Sequence, residues 1–135
     1  MTVSEFPSPD MALTHILVVS DFEASVAWYE GILGARLERT YGGTSAVFDF
    51  NGTWLLVVTG GAPTEDKPGV VMAAPDDPGR VDHSFTIRVQ DCRAAYEELL
   101  QRGAAFLTPP HDWGAEIRCF FRDPDGHLFE ISETP

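Results

Sequence analysis

Glu130 is the residue of this sequence whose type and place most need a chemical explanation. It stands between Phe129 and Ile131, in an apolar stretch of strand type. A carboxylate in such a place is costly unless it binds a cation or accepts hydrogen bonds from a donor. We therefore expect Glu130 either to hold a cation or to pair with a donor group.

The stretch that positions Glu130 is predicted to be a β-hairpin over residues 119–132. Its four-residue turn, Asp123-Pro124-Asp125-Gly126, contains a proline, which presets φ, and a glycine, which takes positive φ without strain. The flanks of the turn are largely apolar and aromatic. The second arm of the hairpin would thus carry Glu130 as its one acid.

The composition predicts one folded domain. The chain has 135 residues, of which 44% are hydrophobic and 22% charged, and its net charge is −12. This acidity argues against nucleic acids and anionic membranes as partners, because proteins that bind them need basic surfaces. The sequence shows neither an apolar run of membrane-spanning length nor a signal-peptide pattern, so we expect a cytoplasmic protein.

Residues 12–59 are predicted to form a strand, a helix and three further strands. The first strand is the apolar run His15 to Val19, and the helix begins at a capping box of Ser20 and Glu23. The last two strands are separated by Asn51-Gly52, a strong hairpin signal.

The same order of elements recurs further along the chain, in residues 83–134. Asp21 before the first helix corresponds to Asp91 before the second, which stands 70 positions later by their numbers. The turn DFNG at residues 49–52 likewise corresponds to DPDG at residues 123–126. This repetition indicates a duplicated unit.

Between the two copies lies a stretch of different composition, residues 60–82. It is rich in proline, glycine and acids, and we interpret it as a linker between two modules. The sequence therefore predicts an α+β fold of two tandem βαβββ modules, about 12–59 and 83–134, within a single domain of residues 1–135.

The two modules resemble the vicinal oxygen chelate superfamily, which includes glyoxalase I, fosfomycin-resistance thiol transferases, bleomycin-binding proteins and extradiol dioxygenases. The resemblance is carried by VSDFEASVAWYEGILGA near the start of the chain and by FFRDPDGHLFEIS at its end. It implies that the modules form a curled mixed sheet around a cleft, that a small molecule binds there, and that the protein is a homodimer.

The resemblance also implies a divalent metal, such as Fe²⁺, Mn²⁺, Zn²⁺ or Ni²⁺. Glu130 stands four residues past Gly126, which is the ligand position on the last strand of such a module, and it is the candidate catalytic residue. His15 and His83 would complete a His, His, Glu triad. Two imidazoles and one carboxylate leave coordination positions open for a substrate.

The register of the two opening strands leaves the direction of these histidines open. In the family the ligand stands five residues before the last valine of the strand, a position held here by Thr14 and Ser84. His15 and His83 each miss that position by one residue, which in a regular strand reverses the direction of a side chain. They reach the site if each strand contains a bulge, and otherwise they face the helices.

A regular register predicts a different, metal-free set of cleft residues. Arg118 would meet Glu130 across the hairpin, keep it ionised and present donors to a ligand. Trp113 would provide a stacking surface in a loop above the cleft. The predicted ligand-binding residues are Arg88, Arg118, Trp54, Phe120, Thr14, Ser84 and Trp113.

Two classes of function stay open on this basis. The first is a metal-dependent lyase, thiol transferase or dioxygenase. The second is a metal-free protein that binds or sequesters a small molecule of antibiotic type, with a Glu130–Arg118 pair in place of the metal. The direction of the two histidine side chains distinguishes these classes.

Overall fold

The computed structural model describes residues 5–135, in which each half of the chain forms one module. The elements of the first module are β1 (His15–Val18), α1 (Phe22–Gly31), β2 (Arg36–Tyr41), β3 (Ser45–Phe50) and β4 (Thr53–Val58). The predicted hairpin turn between β3 and β4 is present, with positive φ at both Asn51 and Gly52.

The second module repeats this order and adds one short strand. Its elements are β5 (Phe85–Arg88), α2 (Cys92–Arg102), β6 (Ala105–Phe106), β7 (His111–Asp112), β8 (Ile117–Arg122) and β9 (Leu128–Glu133). The sequence did not predict β7, whose two residues form a strand only by pairing with β8. None of the helices within residues 5–135 has the length and apolar character needed to cross a membrane.

The strands form two mixed sheets, which confirms the α+β fold. The first has the order β1-β4-β3-β2, and the second has the order β5-β9-β8-β6 with β7 beside β8. In each sheet the opening strand of the module pairs in parallel with the last one, β1 with β4 and β5 with β9. Both parallel pairings run in unbroken register, so side chains alternate regularly between the two faces along these four strands.

A single core lies between the inner faces of the two sheets. It includes Leu17 and Phe48 from the first sheet and Phe121 and Phe129 from the second. The fully buried ring of Tyr29, on α1, lies 5.8 Å from the ring of Phe48 and 6.1 Å from that of Phe129. Helix α1 therefore packs against both sheets, and their outer faces point away from this shared core.

The start of α1 differs from the predicted capping box. The N-cap is Asp21, whose carboxylate accepts a 3.1 Å hydrogen bond from the Ala24 backbone N–H. Ser20 is engaged elsewhere, because its hydroxyl and its backbone N–H both donate to the Asp125 carboxylate. An aspartate one position further on is an equally good cap, and it leaves Ser20 free to join the two modules.

The linker, residues 60–82, folds back on itself where Gly61 meets Met72. Gly61 and Met72 form an antiparallel bridge, with the Gly61 N–H donating to the Met72 carbonyl oxygen at 2.8 Å. Gly60 makes this possible, since it has φ of +75° and a β-carbon there would lie 2.2 Å from that same carbonyl oxygen. Only glycine allows the backbone to approach so closely.

Candidate functional site

Glu130 lies on the outer face of β9, where alternation places it opposite the buried side chains of Phe129 and Ile131. It is nevertheless only 8% exposed. The Thr86 hydroxyl on β5 donates a 2.7 Å hydrogen bond to Glu130 Oε1, and Arg118 Nε on β8 lies 3.8 Å from Oε2. Both carboxylate oxygens thus have a partner, which offsets the cost of burying the charge.

Arg118 is held in place by two acids and two aromatic rings. Its Nη1 donates a 3.0 Å hydrogen bond to Glu116 Oε1, on the other side from Glu130. Its guanidinium carbon lies 5.5 Å from the ring centroids of both Trp113 and Phe120, within the range of cation–π interaction. The arginine is therefore fixed beside Glu130.

Glu116 connects Arg118 to Arg88 through Ser132. The Ser132 hydroxyl donates to Glu116 Oε2 and accepts a 2.8 Å hydrogen bond from Arg88 Nη1, which itself lies 3.7 Å from Glu116 Oε2. The Ser132 hydroxyl, and to a smaller extent the two guanidinium groups, hold the pKa of Glu116 below its usual value. We call these residues, with Glu130 and Thr86, the arginine cluster.

Strand register explains how distant parts of the chain assemble the arginine cluster. Arg88 is the neighbour of Ser132, Ser132 of Arg118, and Arg118 of His111, in one row across four strands. Ser132 was absent from the predicted set. Its signal in the sequence was its position two residues past Glu130, which in a strand means the same face.

The two histidines lie on the other side of β1 and β5. His15 has the same parity in β1 as the buried Leu17, and its ring lies 4.5 Å from that of Phe85 and 5.0 Å from that of His83. Phe85 in turn stacks on Phe129 in the core at 4.7 Å. The histidines therefore meet each other at the margin of the core, on the face opposite Glu130.

The chain does not assemble the predicted metal triad. Within residues 5–135, no three His, Cys, Asp or Glu side chains form a group that could hold a metal ion. His83 Nδ1 lies 2.8 Å from Asp82 Oδ1, and both oxygens of Glu130 are engaged by Thr86 and Arg118. The donor set of one chain thus does not fit a metal ion.

The other predicted ligand-binding residues divide between the two modules. Arg88, Phe120 and Trp113 lie at the arginine cluster. Trp54 lies on the outer face of β4 in the first sheet, and Thr14 and Ser84 are exposed residues just before β1 and β5. One chain therefore does not bring Trp54 and Thr14 to the arginine cluster, because the first sheet and the second turn their outer faces away from each other.

A separate cavity of about 600 Å³ lies where the linker passes the edge of β1. Its apolar lining includes Ile16, Val18 and Leu128, and His83 and His127 also face it. His127, next to the turn glycine, lies 2.8 Å through Nε2 from the Val18 carbonyl oxygen, so it joins the hairpin to β1. This cavity shares no lining residue with the arginine cluster.

Comparison with known proteins agrees with this architecture. Residues 12–131 match the model of the "Glyoxalase/Bleomycin resistance protein/Dioxygenase superfamily". The metallothiol transferase FosB of Lysinibacillus sphaericus is 34% identical over 123 residues, which cover 89% of this chain and 80% of that protein. FosB of Bacillus licheniformis is 30% identical over 128 residues, which cover 90% and 74%.

A solved structure has the same fold over most of its length. The crystal structure of a glyoxalase/bleomycin resistance protein/dioxygenase from Nocardioides superposes with a TM-score of 0.70 at 26% identity, and the match covers 94% of this chain and 85% of that one. The family match spans both modules and both sheets. The chain therefore belongs to the glyoxalase/bleomycin resistance protein/dioxygenase superfamily.

Proposed function

We propose that the protein binds a small molecule without a metal ion, at the arginine cluster on the outer face of the second sheet. The observation that carries this proposal is the pairing of Glu130 with Thr86 at 2.7 Å and with Arg118 at 3.8 Å. A carboxylate that already has a hydroxyl donor and a guanidinium beside it gains less from a metal ion. Binding or sequestration of a molecule of antibiotic type follows as the role of such a site.

The surroundings of Arg118 offer a ligand both apolar and polar contacts. The Trp113 residue is 61% exposed and the Arg88 side chain 63% exposed, so both are accessible from solvent. Trp113 and Phe120 present ring surfaces on which a flat molecule can stack, and the arginines provide directional donors. This combination of apolar surface with a few fixed polar groups is typical of small-molecule sites.

Metal analysis of the purified protein tests the proposal. The protein is incubated with Mn²⁺, Fe²⁺, Zn²⁺ or Ni²⁺, dialysed, and analysed for metal per chain, in parallel with Glu130→Gln. We expect well below one equivalent in the wild type and the same value in the variant. One equivalent of metal in the wild type that is lost in Glu130→Gln contradicts the proposal.

Metallothiol transfer is the second candidate function. It is favoured by the 34% identity to the metallothiol transferase FosB and by the 5.0 Å separation of the His15 and His83 rings. In this case His83→Ala as well as Glu130→Gln would lose the bound metal. The two candidates therefore give opposite results in the same metal measurement.

We also propose that two copies associate so that the outer face of the first sheet in one chain lies against the outer face of the second sheet in the other. Ile16 is 46% exposed there, beside the partly exposed Val18, Trp54, Leu56 and Val58. A second copy would cover these apolar side chains and bring Trp54 of one chain towards the arginine cluster of the other. Sedimentation of wild type and Ile16→Glu tests this: we expect a dimer that the charged variant converts to monomer, and a monomeric wild type contradicts it.

A further inference from the structure

We propose that Arg88, Arg118 and Ser132 form a binding site for a ligand carboxylate, and that the Glu116 side chain occupies this site in the free protein. The inference rests on the proposed small-molecule function and deepens it by naming the ligand group. Its basis is that Glu116 makes the contacts that a bound carboxylate would make. The two guanidinium groups and the hydroxyl converge on that one side chain.

The geometry around Glu116 is that of a recognised carboxylate. Arg118 Nη1 donates to Oε1 at 3.0 Å, the Ser132 hydroxyl donates to Oε2, and Arg88 Nη1 lies 3.7 Å from Oε2. Each oxygen therefore faces at least one donor. Guanidinium groups suit such planar carboxylates because their N–H donors lie in a fixed plane.

The partners of Glu116 lie on paired strands, whereas Glu116 itself lies in a turn. Arg88, Arg118 and Ser132 belong to β5, β8 and β9, which pair continuously with one another. Glu116 lies in the turn between β7 and β8, where the Trp113 N–H donates to the Glu116 carbonyl oxygen at 2.8 Å. The acid can thus swing out by a local change in this turn while its donors stay in place.

The charge balance explains why a carboxylate is the group expected. With Glu116 in place, Arg88 and Arg118 are balanced by Glu116 and Glu130. Displacement of Glu116 leaves two guanidinium groups facing the single buried carboxylate Glu130, so the vacated position favours one negative charge. Glu116 and the ligand carboxylate are therefore competitors for the same donors.

The rings beside Arg118 favour a carboxylate attached to an aromatic body. Trp113 and Phe120 flank the guanidinium at 5.5 Å each, and His111 lies 4.3 Å from the Trp113 ring. A carboxylate at the Glu116 position would direct its substituent towards these rings. Benzoate is the smallest probe with both features, and benzamide is its uncharged counterpart.

Calorimetric titration with benzoate tests the proposal in the intact protein. The proteins compared are wild type, Glu116→Gln and Glu98→Gln. Glu98 is a matched control, because it forms an ion pair with Arg102 at 3.2 Å on α2, away from the cluster. We expect benzoate to bind Glu116→Gln on the order of tenfold more tightly than the other two proteins, because a strong competitor has been removed.

Three further titrations, with benzamide, with benzoate on a second variant and with inorganic phosphate, separate carboxylate recognition from ring stacking and from general anion binding. Benzamide is expected to bind all three proteins equally weakly, and Arg118→Met added to Glu116→Gln is expected to abolish benzoate binding. Equal benzoate affinity in wild type and Glu116→Gln overturns the proposal. Inorganic phosphate that binds Glu116→Gln as tightly as benzoate overturns the assignment to a carboxylate.

Failure of the carboxylate site and failure of the proposed metal-free function give different results in the benzoate titration and the metal analysis. Stoichiometric metal at Glu130 contradicts the metal-free function whatever benzoate does, whereas metal-free protein without a benzoate difference contradicts the carboxylate site alone. If Glu116→Gln does not fold, as judged by circular dichroism, Glu116→Ala is used with the same readout, since it also removes the competing charge.

Discussion

The Tyr29 hydroxyl donates a 2.7 Å hydrogen bond to Oδ2 of Asp123, across 94 residues of sequence. Tyr29 lies on α1 of the first module, and Asp123 begins the hairpin turn of the second. The other carboxylate oxygen of Asp123 accepts from the backbone N–H groups of Asp125 and His127. One buried tyrosine thus ties the core helix to the turn that places Glu130.

Tyr29→Phe is expected to destabilise the protein by about 1.5–3 kcal/mol at pH 7, because it removes a hydrogen bond to a buried carboxylate. Burial raises the pKa of Asp123 above its usual value, so the folded state binds this proton more tightly than the unfolded state does. As pH falls, Asp123 becomes neutral and the lost bond matters less. Urea unfolding should therefore show a smaller loss at pH 4 than at pH 7.

Tyr96→Phe provides the control for this measurement. Tyr96 packs its ring against Phe106 at 4.7 Å, and its hydroxyl makes no hydrogen bond within residues 5–135. The same chemical change there should alter the free energy of unfolding by less than about 0.5 kcal/mol. Equal effects of Tyr29→Phe and Tyr96→Phe would show that the bond to Asp123 contributes nothing.

The sequence predicted those features of the fold that depend on neighbouring residues. The turns at Asn51-Gly52 and Asp123–Gly126 form as expected, and Asp91 caps α2 by accepting from the Ala94 N–H at 3.0 Å. The cap of α1 was placed one residue early, at Ser20. The reason is a partner 105 residues away, Asp125, which no local pattern reveals.

The arginine cluster, too, could be predicted only where local strand alternation determines the direction of a side chain. Alternation along β8 predicted Arg118 across from Glu130, and the structure has Arg118 Nε 3.8 Å from the carboxylate. The direction of His15 depended on whether β1 contained a bulge, which the sequence does not encode visibly. Alternation extended back from β8 also places Glu116 on the same face as Arg118, but the turn that holds Glu116 follows β7, a strand that the sequence did not predict.

Thr86→Val is expected to lower stability by about 1.5–3 kcal/mol, because it removes the hydroxyl that donates to the nearly buried carboxylate of Glu130. Valine has almost the same shape and suits a strand equally well. Thr40→Val on β2 is the control, since Thr40 is an exposed strand residue. Thermal or urea unfolding measures both, and an equal response would mean that Glu130 does not depend on Thr86.

His15→Gln is expected to reduce the loss of stability on acidification. Burial, with the nearby His83 and His127, lowers the pKa of His15, so the folded state resists its protonation more than the unfolded state does. Stability is therefore lost as pH falls from about 6.5 towards the lower folded pKa, by at most about 1.4 kcal/mol per pH unit for one proton.

Unfolding free energies at pH 7.5 and pH 5.5 check this expectation for His15. The difference between the two pH values should be smaller in His15→Gln than in the wild type. An NMR titration of the wild type should place the His15 ring below the ordinary histidine pKa. If His15→Gln shows the same pH dependence of the unfolding free energy as the wild type, His15 is not the group that destabilises the protein on acidification.

Gly60→Ala is expected to open the bridge at which the linker folds back on itself. Gly60 and Gly69 share φ of +75°, but a β-carbon at Gly60 would lie 2.2 Å from the Met72 carbonyl oxygen, whereas one at Gly69 would have no atom within 4 Å. Gly69→Ala should therefore cost about 1–2 kcal/mol from backbone strain alone. Gly60→Ala should cost more and should speed protease cleavage within residues 60–82, because the Gly61–Met72 bridge must open. The measurements are the free energy of unfolding and the rate of protease cleavage of both variants. Equal values in Gly60→Ala and Gly69→Ala would show that glycine at position 60 relieves only backbone strain and not a clash with Met72.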